Sequence, residues 1–584
     1  MKRIGLHNVI IKHSAQDHRL SSMKLLSEQK STLWILCAIL VVAFLMRFAF
    51  LDRPDLTNDE ALNAARAEVW FDFLGDDRQT TPVQWFETRQ WWQSLSFHDH
   101  PPFGFAFEWV SVRVFGDSVM GLRLPFVAVG LLSIVGIFLL MRSLFNDERA
   151  GLCAAFFMAL YPGAVWIFRL ALFDGLVIFF IIASLYFFVR ASQGNNRAWL
   201  WWGITLGLGV ITKYTIFFIV PLFAILVVWK YRNAFKNKWL WYGIGTAVFI
   251  TTPVVIYNIM MFKTRGHFDA ALSSMVGMQP ADFALIAGRA GSVAFRHLYL
   301  VWVKLTESFG WFMTTVGIVG IVTSIGLACK KRSQLVDLIV VVYVVLLEFT
   351  APFLSTDKHF LTIWTPLLAL AGGSILYRGW SYIRQPRLAM ATIVVIAIIF
   401  YATSQSLYMS SAAGGYNALY RRVDALFKGA VPDLEVPLWK GAQVNTWQMQ
   451  HEQVPAGFRR GGATRLNTTL VIMDQRIDWV PRFWISTRYA THHLLPVFLI
   501  KNFAEYLKAQ NVEPVIFIDY GITDVYTIQM VAEPQNENEH NIVTALGQVR
   551  TIFKNDPRFK EERQEILEGP TGDDFIYVHH LIFQ

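Results

Sequence analysis

Five short segments of an otherwise apolar chain carry the ionisable side chains that could do chemistry. Their acids could take a proton from a hydroxyl group, and their cations and imidazoles could neutralise a phosphate. Charged groups near membrane depth are costly to bury, so they are functional candidates by default. Together the five favour transfer of a group from a phosphate-linked donor. The segments are Asp59-Glu60, His98-Asp99-His100 with two following prolines, Arg169 to Asp174, Lys213-Tyr214, and Asp357-Lys358-His359.

The Asp59-Glu60 pair and the turn at His100 each have a structural alternative. Thr57 or Asn58 could cap a helix whose first turn holds the two acids, because acids stabilise a helix N-terminus. The Pro-Pro sequence after His100 fixes an extended turn, in which the imidazoles could simply be solvated. Neither segment identifies a site by itself.

The cationic segments have structural alternatives as well. Arg169 could pair with Asp174, although an acid at the start of an apolar helix is unusual unless a cation or the helix dipole stabilises it. Lys213 interrupts a continuous apolar stretch and could extend its ammonium group to the membrane surface. The argument for a site therefore depends on all five segments lying on one face of the membrane.

The composition indicates a membrane protein with a soluble part. Of the 584 residues, 54% are hydrophobic and only 16% are charged, and the mean hydropathy is +0.38. Soluble domains have about a quarter charged residues. The net charge of +9 arises in the apolar part before Tyr408 and so does not indicate nucleic-acid binding. Cys37, Cys153 and Cys329 are isolated in or beside apolar runs, which predicts neither a zinc site nor a disulfide.

Eleven apolar runs approach or reach the roughly 17–25 residues that span a bilayer. The first follows a basic segment, residues 1–32, and no small-residue cleavage site comes after it, which predicts a retained helix. The stretch 103–115 is too short to span and predicts a helix at the outer interface. The runs are 33–50, 120–141, 150–167, 173–189, 199–212, 214–229, 240–261, 309–329, 335–353, 360–377 and 388–404.

Basic residues predict the orientation of these spans. Lys and Arg in short loops stay on the cytoplasmic side, and the N-terminal segment and every second loop contain at least two of them. The opposite loops, of which residues 51–119 are the first, then face the outside of the inner membrane. All five candidate segments lie on that outer face.

Residues 409–584 follow the last predicted crossing and have a soluble composition. No glycine-rich phosphate loop and no paired catalytic motif occurs there, so we expect this region to recognise or position an acceptor outside the membrane. The pattern predicts a small α/β domain, with strands at 468–473, 515–520 and 575–583 and helices at 497–510 and 542–554.

At these residues the chain resembles the type C glycosyltransferases that use polyprenyl-phosphate sugars, particularly the bacterial lipid A aminoarabinose transferases and the protein O-mannosyltransferases. The likeness covers residues 33–377, and its order and spacing are typical of the superfamily more than of any member. The matching features are Asp59-Glu60, His100-Pro101-Pro102, Gly116 with Arg123 and Pro125, Arg169 before Asp174, Gly207-Leu208-Gly209 with Thr212-Lys213, and Lys358-His359-Phe360 before Pro366.

The resemblance implies the type C glycosyltransferase fold, an α-helical polytopic membrane protein for which the apolar runs predict about eleven transmembrane helices. In that fold the first outer loop and the following helices enclose a cavity for a lipid-linked sugar, with undecaprenyl phosphate as the bacterial carrier. The resemblance also implies that Asp59 is the acid nearest the chemistry. The chain has His359 where many relatives have Arg.

We therefore expect an inverting transferase that moves one sugar from a polyprenyl phosphate to a hydroxyl group of a lipid, glycan or protein, with no role for nucleic acid. The expected catalytic residues are Asp59 as general base, Glu60 and Asp174. The expected substrate-binding residues, several of which would neutralise the phosphate, are His98, His100, Arg169, Lys213, Tyr214, Lys358 and His359.

Two other functions and one cofactor stay open at this point. A lipid-linked-sugar flippase also needs buried charges, but it predicts repeat symmetry between the halves, which the sequence does not show. An oligosaccharyltransferase or O-antigen ligase shares the outer-face site and transfers a block of sugars. A divalent cation could bind the acids Asp59, Glu60 and Asp174 together with the two histidines, and the sequence leaves metal dependence undecided.

Overall fold

The structure is a computed structural model that describes residues 30–69, 91–98, 100–116, 118–278, 298–350, 358–380, 399, 468–474, 492–496, 522–535, 537–555, 557–568 and 574–583. Within these stretches the chain up to residue 380 is helical, and the tail contains a mixed β-sheet.

The described residues of the apolar part form sixteen α-helices. In order they are α1 (Lys30–Phe48), α2 (Asn58–Val69), α3 (Pro102–Phe115), α4 (Val119–Phe145), α5 (Glu148–Leu160), α6 (Pro162–Ile167), α7 (Phe173–Ser192), α8 (Ala198–Val210), α9 (Ile219–Trp229), α10 (Lys238–Arg265), α11 (Ala270–Met275), α12 (Leu298–Phe309), α13 (Trp311–Cys329), α14 (Leu335–Thr350), α15 (Lys358–Leu361) and α16 (Thr365–Trp380).

Six of the described helical segments are long and apolar enough to cross a membrane, namely α1, α4, α7, α10, α13 and the segment from α15 to α16. Two further apolar helical segments, Ala198–Val210 and Tyr214–Trp229, are shorter. These elements confirm a polytopic helical fold and match predicted runs closely. The run at 388–404 lies outside the described residues apart from Ile399, so the number of eleven crossings stays a prediction.

One predicted span is divided in two. The run at 150–167 forms α5 and α6, which meet at Tyr161, a residue with extended backbone angles (φ −61°, ψ 119°). The next residue is Pro162, which disfavours helical angles at the residue before it and fits the first position of a new helix. The break places Trp166 on a short helix of its own.

Close packing of the helices builds the core around the candidate segments. Helix α7 packs against α4 and α8, α8 packs against α10, and α16 packs against α5 and α13. At the α8–α10 contact, a Cβ atom on Gly203 would lie 2.0 Å from the carbonyl oxygen of Gly243. Both positions therefore need glycine for the backbones to approach so closely. Helix α3 agrees within one residue with the short helix predicted at 103–115.

The tail contains a five-stranded sheet formed by β1 (Thr468–Met473), β2 (His492–Pro496), β3 (Ile522–Met530), β4 (Phe559–Glu568) and β5 (Asp574–Phe583). The strand order is β2-β1-β3-β5-β4, with parallel pairs around β1 and antiparallel pairs around β5. A helix, α17 (Glu537–Asn555), connects β3 to β4.

Two of the three strands and one of the two helices predicted in the tail fall on described residues, and the structure contains them. The strands predicted at 468–473 and 575–583 are β1 and β5, and the helix predicted at 542–554 lies within α17. The helix at 497–510 and the strand at 515–520 lie outside the described residues. The prediction omits β2, β3 and β4.

Candidate active site

The first two acids lie in the first turn of α2, where Thr57 caps the helix. The backbone N–H of Glu60 donates to Thr57 Oγ1 (3.3 Å), and the backbone N–H of Thr57 donates to Glu60 Oε2 (2.9 Å). This reciprocal arrangement is a capping box, which satisfies two N–H groups that the helix itself leaves without partners. The helix-capping interpretation of the sequence is therefore correct for Glu60.

Glu60 is also the centre of a buried ion pair with Arg123 of α4. Arg123 Nε and Nη2 lie 2.8 Å from Glu60 Oε1 and Oε2, and both side chains are fully buried. The backbone N–H of Ala171 donates to Glu60 Oε1 at 2.8 Å. The Glu60 carboxylate thus joins α2 to α4 and to the segment before α7. Arg123 further donates to the carbonyl groups of Leu51, Pro54 and Asp55.

Asp59, the neighbouring acid, faces a different part of the molecule. Its side chain is 33% exposed, and its Oδ2 lies 4.0 Å from His359 Nε2 of α15. Of the two acids in this dipeptide, Asp59 is therefore the one whose carboxylate is accessible from outside the protein.

A further acid, Glu108 of α3, is fully buried near Glu60. Among the described residues, neither of its carboxyl oxygens has a hydrogen-bond partner. Burial raises the pKa of Glu108 well above its ordinary value, and the negative charge of Glu60 raises it further. The sequence gives no sign of this group, because an acid on an amphipathic interfacial helix normally lies on the polar face.

Asp174 forms an ion pair with Lys213. Lys213 Nζ lies 3.0 Å from Asp174 Oδ1 and 2.8 Å from Oδ2, and both side chains are largely buried. The partner of Asp174 is therefore Lys213, whereas Arg169 contacts backbone carbonyl groups. Asp174 also lines a small recess with Val177, Ile178, Thr215, Phe360, Thr362 and Ile363.

Arg169 lies between α6 and α7, and its fully buried side chain contacts the end of α1. Its Nη1 donates to the carbonyl of Met46 (2.7 Å), and its Nη2 donates to the carbonyl of Ala49 (2.5 Å). The last carbonyl groups of a helix have no partners within the helix, so the guanidinium group fixes the C-terminal end of α1. Sequence reasoning misses this contact.

Tyr214 takes part in a buried polar cluster with Asp269 and Asn258. Its hydroxyl donates to Asp269 Oδ2 (2.5 Å) and accepts from Asn258 Nδ2 (3.0 Å). Asn258 Nδ2 also donates to Asp269 Oδ2 (2.9 Å). Asp269 and Asn258 are absent from the prediction, which assigns Asp269 to an outer loop and Asn258 to a span without a role.

The two histidines before α3 occupy different surroundings. His98 is buried, its carbonyl accepts from the backbone N–H of Ala270 (2.7 Å), and its ring lies 6.4 Å from that of His267. The His100 ring lies 5.7 Å from the ring of Phe173, the residue next to Asp174. His100 and His359 both act electrostatically on Asp174.

Helix α15 supplies the last two candidates, Lys358 and His359. Lys358 Nζ lies 4.5 Å from the ring centre of Trp166 and 5.9 Å from that of Phe309. Within the described part of the chain, the Lys358 ammonium group has neither a hydrogen bond nor an ion pair. Next to it, Lys213 Nζ lies 4.7 Å from the ring of Phe360.

The structure thus brings together the segments that the sequence singles out. Asp59 meets His359, Asp174 meets Lys213, and Lys213 meets Phe360 of the His359 helix. The backbone N–H of Phe103, just after the His100 turn, donates to the carbonyl of Ile211 near Lys213 (2.9 Å). Asp99 and Asp357 lie outside the described residues.

The chain is similar to one protein family and to several known proteins. The family described as dolichyl-phosphate-mannose-protein mannosyltransferase matches residues 99–257. The structure of ArnT from Cupriavidus metallidurans in the apo state covers 95% of this chain and 98% of its own, with a TM-score of 0.56 and 15% identity. The chain has the type C glycosyltransferase fold. ArnT bound to undecaprenyl phosphate gives a TM-score of 0.52.

Other known proteins are similar at a lower TM-score or over shorter stretches. The Archaeoglobus fulgidus oligosaccharyltransferase with Zn and sulfate has a TM-score of 0.50 and 16% identity, covering 93% of this chain and 72% of its own. The undecaprenyl phosphate-alpha-4-amino-4-deoxy-L-arabinose arabinosyl transferase 1 of Pseudomonas fluorescens is 26% identical over 145 residues, 24% of this chain and 26% of its own. The chain spans about a quarter of the length of the curated relatives it matches.

The predicted acids and histidines do not form a metal site in the part of the chain that the structure describes. No group of three or more His, Cys, Asp or Glu side chains there could hold a metal ion. Two of the acids, Glu60 and Asp174, already face a cationic side chain at 2.8 Å.

Proposed function

We propose that this protein is a membrane glycosyltransferase that moves one sugar from a polyprenyl phosphate to a hydroxyl acceptor. The fold, the family match over residues 99–257 and the undecaprenyl phosphate bound by ArnT support the donor class. The positive-inside pattern supports a site on the outer face of the inner membrane.

The observation that carries this proposal is that no described acid neutralises the positive charge of Lys358 on α15, whereas the other two candidate cations already have partners. Lys213 is neutralised by Asp174, and Arg169 is buried against the end of α1. Lys358 touches only aromatic faces in the described structure, and it precedes His359, which faces Asp59. Among the described residues, a lysine with no hydrogen-bond partner thus adjoins a histidine that faces an accessible acid, and transfer from a phosphate requires both a cation and a base.

The proposed reaction is a single displacement at the anomeric carbon. Asp59 takes the proton of the acceptor hydroxyl, and the hydroxyl oxygen attacks the anomeric carbon from the side opposite the phosphate. The bond between that carbon and the phosphate oxygen breaks, and its electron pair leaves with the polyprenyl phosphate. The configuration at the anomeric carbon is inverted. Lys358, with His359 beside it, neutralises the charge that develops on the leaving phosphate.

Glu60 and Asp174, which the sequence predicts to be catalytic, take positioning roles in this proposal. Glu60 fixes the first turn of α2 through Arg123 and Ala171, and this turn carries Asp59. Asp174 holds Lys213 against Phe360 and so fixes the α15 end of the site. Tyr214 fixes the chain next to Lys213 because both sides of its hydroxyl are already used.

A block transferase is the second candidate, because the oligosaccharyltransferase of Archaeoglobus fulgidus shares the fold. The two functions differ in the mass that each turnover adds to the acceptor. A single-sugar donor that is consumed, while a polyprenyl-pyrophosphate oligosaccharide is left intact, supports the first proposal. We further propose that the tail, residues 409–584, positions the acceptor, so a chain that ends at Ser411 should still turn over the donor.

Lys358 offers a direct test of the donor phosphate site. Purified protein in liposomes would be given labelled undecaprenyl-phosphate sugars, and the release of undecaprenyl phosphate would be measured. We expect Lys358→Gln to lower kcat/KM by about 100-fold, as for loss of one charge-stabilising donor. Lys304→Gln is the matched control, because Lys304 is half-exposed and pairs with Glu307 on the same helix.

Two results would reject the proposal. Wild-type protein that turns over none of the polyprenyl-phosphate sugars would remove the donor class. Equal turnover by Lys358→Gln and Lys304→Gln would remove Lys358 from the phosphate site while leaving the donor class intact.

A further inference from the structure

The ammonium group of Lys358 rests between two aromatic side chains from distant parts of the sequence. Its distance is 4.5 Å to the ring centre of Trp166 and 5.9 Å to that of Phe309. Both rings are buried, with 7% and 1% of the residue exposed. Their centres are 6.1 Å apart at an angle of 49°, so the two faces form an angled pair rather than a stack.

The backbone around Tyr161 makes this pair possible. Trp166 lies on α6, the short helix that begins after the break at Tyr161. A Cβ on Gly163 would lie 2.7 Å from the Tyr161 ring and 3.1 Å from the Phe309 ring, so only glycine leaves room for both. The packing therefore brings Phe309, at the end of α12, against α6 and towards Lys358.

An aromatic face holds a cation in a way that differs from a carboxylate. The face attracts the ammonium through its quadrupole and carries no net charge, so it does not cancel the positive charge of the lysine. An acid partner cancels that charge, as Asp174 does for Lys213. The two lysines of the site thus have opposite electrostatic consequences, although both are fixed in place.

We propose that Trp166 and Phe309 are positioning residues for the donor phosphate, acting through Lys358. They hold its ammonium group beside two buried rings and leave its charge and N–H donors for an anionic phosphate oxygen. This inference rests on the proposed function and adds the reason why Lys358, and not Lys213, is the phosphate-binding lysine. It also predicts that the protein binds a phosphorylated isoprenoid more tightly than the same isoprenoid without the phosphate.

The test separates phosphate binding from catalysis. The full-length protein would be titrated with farnesyl phosphate and, separately, with farnesol, and the ratio of the two dissociation constants would be determined. Wild-type protein should favour the phosphate. Trp166→Leu and Phe309→Leu should lower this preference by about three- to ten-fold, a value between those of an exposed and a fully desolvated cation–aromatic contact, and should leave farnesol binding unchanged. Trp166→Phe, which keeps an aromatic face, should retain most of the preference.

Trp202→Leu is the matched control, since Trp202 is as buried as Trp166 (7% exposed) and packs among Trp199 and Phe223. It should keep the wild-type ratio. If Trp166→Leu does not fold, Phe309→Leu tests the same contact from the other face.

Three results decide the matter. A wild-type preference that survives in both Leu variants would overturn the role of the aromatic pair. A loss shared equally by Trp202→Leu would also overturn it, because the effect would then be general core damage. Wild-type protein that binds farnesyl phosphate no better than farnesol would instead contradict the proposed phosphate site itself.

Discussion

Lys213 Nζ lies 2.8 Å and 3.0 Å from the two carboxylate oxygens of Asp174, although 39 positions separate the residues in sequence. The pair joins the end of α8 to the start of α7, and Lys213 also contacts the ring of Phe360 next to His359. A largely buried ion pair loses solvation when it forms, so it fixes geometry more than it adds stability. The pair is therefore a rigid support that contacts α15, the helix of the proposed donor-binding residues Lys358 and His359.

The first prediction concerns this pair. Lys213→Met alone should destabilise the protein by about 3–5 kcal/mol, because it leaves the Asp174 carboxylate buried without a partner. Adding Asp174→Asn should restore most of that loss. Thermal unfolding in detergent measures both values. A double variant that is as unstable as the sum of the two single variants would show that the residues do not act as a pair.

The second prediction concerns Glu60 and Arg123. Glu60→Gln should cost about 3–5 kcal/mol, since it leaves the buried Arg123 guanidinium uncompensated, and donor turnover should fall because α2 no longer fixes Asp59. The comparison is Glu307→Gln, which removes an exposed ion pair with Lys304 and should change stability by less than about 1 kcal/mol. Equal stability of the two variants would contradict a structural role for Glu60.

The third prediction concerns pH and Glu108. Burial raises its pKa in the folded protein above the unfolded value near 4.5, so its contribution to stability is fully present below pH 4.5 and is lost as the pH rises towards the folded pKa. Glu108→Gln should remove this loss and flatten the pH dependence of thermal unfolding between pH 5 and pH 9. It should also retain donor turnover, because the amide resembles the protonated acid in shape.

Glu148→Gln provides the baseline for that experiment, because Glu148 is a partly exposed acid paired with Arg142 at 3.7 Å. If Glu108→Gln and Glu148→Gln lose stability with rising pH as steeply as the wild type, Glu108 does not titrate in the folded range and the interpretation is wrong.

Local patterns in the sequence predict much of this site. The capping box at Thr57 and Glu60 depends on a spacing of three residues, and the short helix before Gly116 follows from its prolines and length. The alternation of basic loops predicts that Asp59, Asp174, Lys213 and His359 lie on one side of the membrane. In the structure Asp59 faces His359, and Asp174 pairs with Lys213. The capping box and the short helix depend on residues close in sequence. The shared side of the membrane follows from the rule that basic short loops stay cytoplasmic.

Long-range contacts explain what the sequence does not predict. Arg169 reaches Met46 over 123 positions, and Tyr214 reaches Asp269 over 55. A buried cation in an apolar run predicts that some partner exists, but only packing decides which one. β4 shows the same effect, since its charged sequence Phe559–Glu568 favours a helix locally, and pairing with β5 makes it a strand.

The central claim is that Asp59 removes the proton of the acceptor while the phosphate is held elsewhere. The most direct measurement compares wild type, Asp59→Asn and Asp52→Asn, an exposed acid of the same loop, in liposomes with a labelled undecaprenyl-phosphate sugar that the wild type consumes. Carrier binding and sugar transfer would be measured on the same preparations. We expect Asp59→Asn to bind undecaprenyl phosphate as the wild type does and to transfer sugar about 10²–10⁴-fold more slowly, with Asp52→Asn unchanged. Transfer by Asp59→Asn at the wild-type rate would contradict the account.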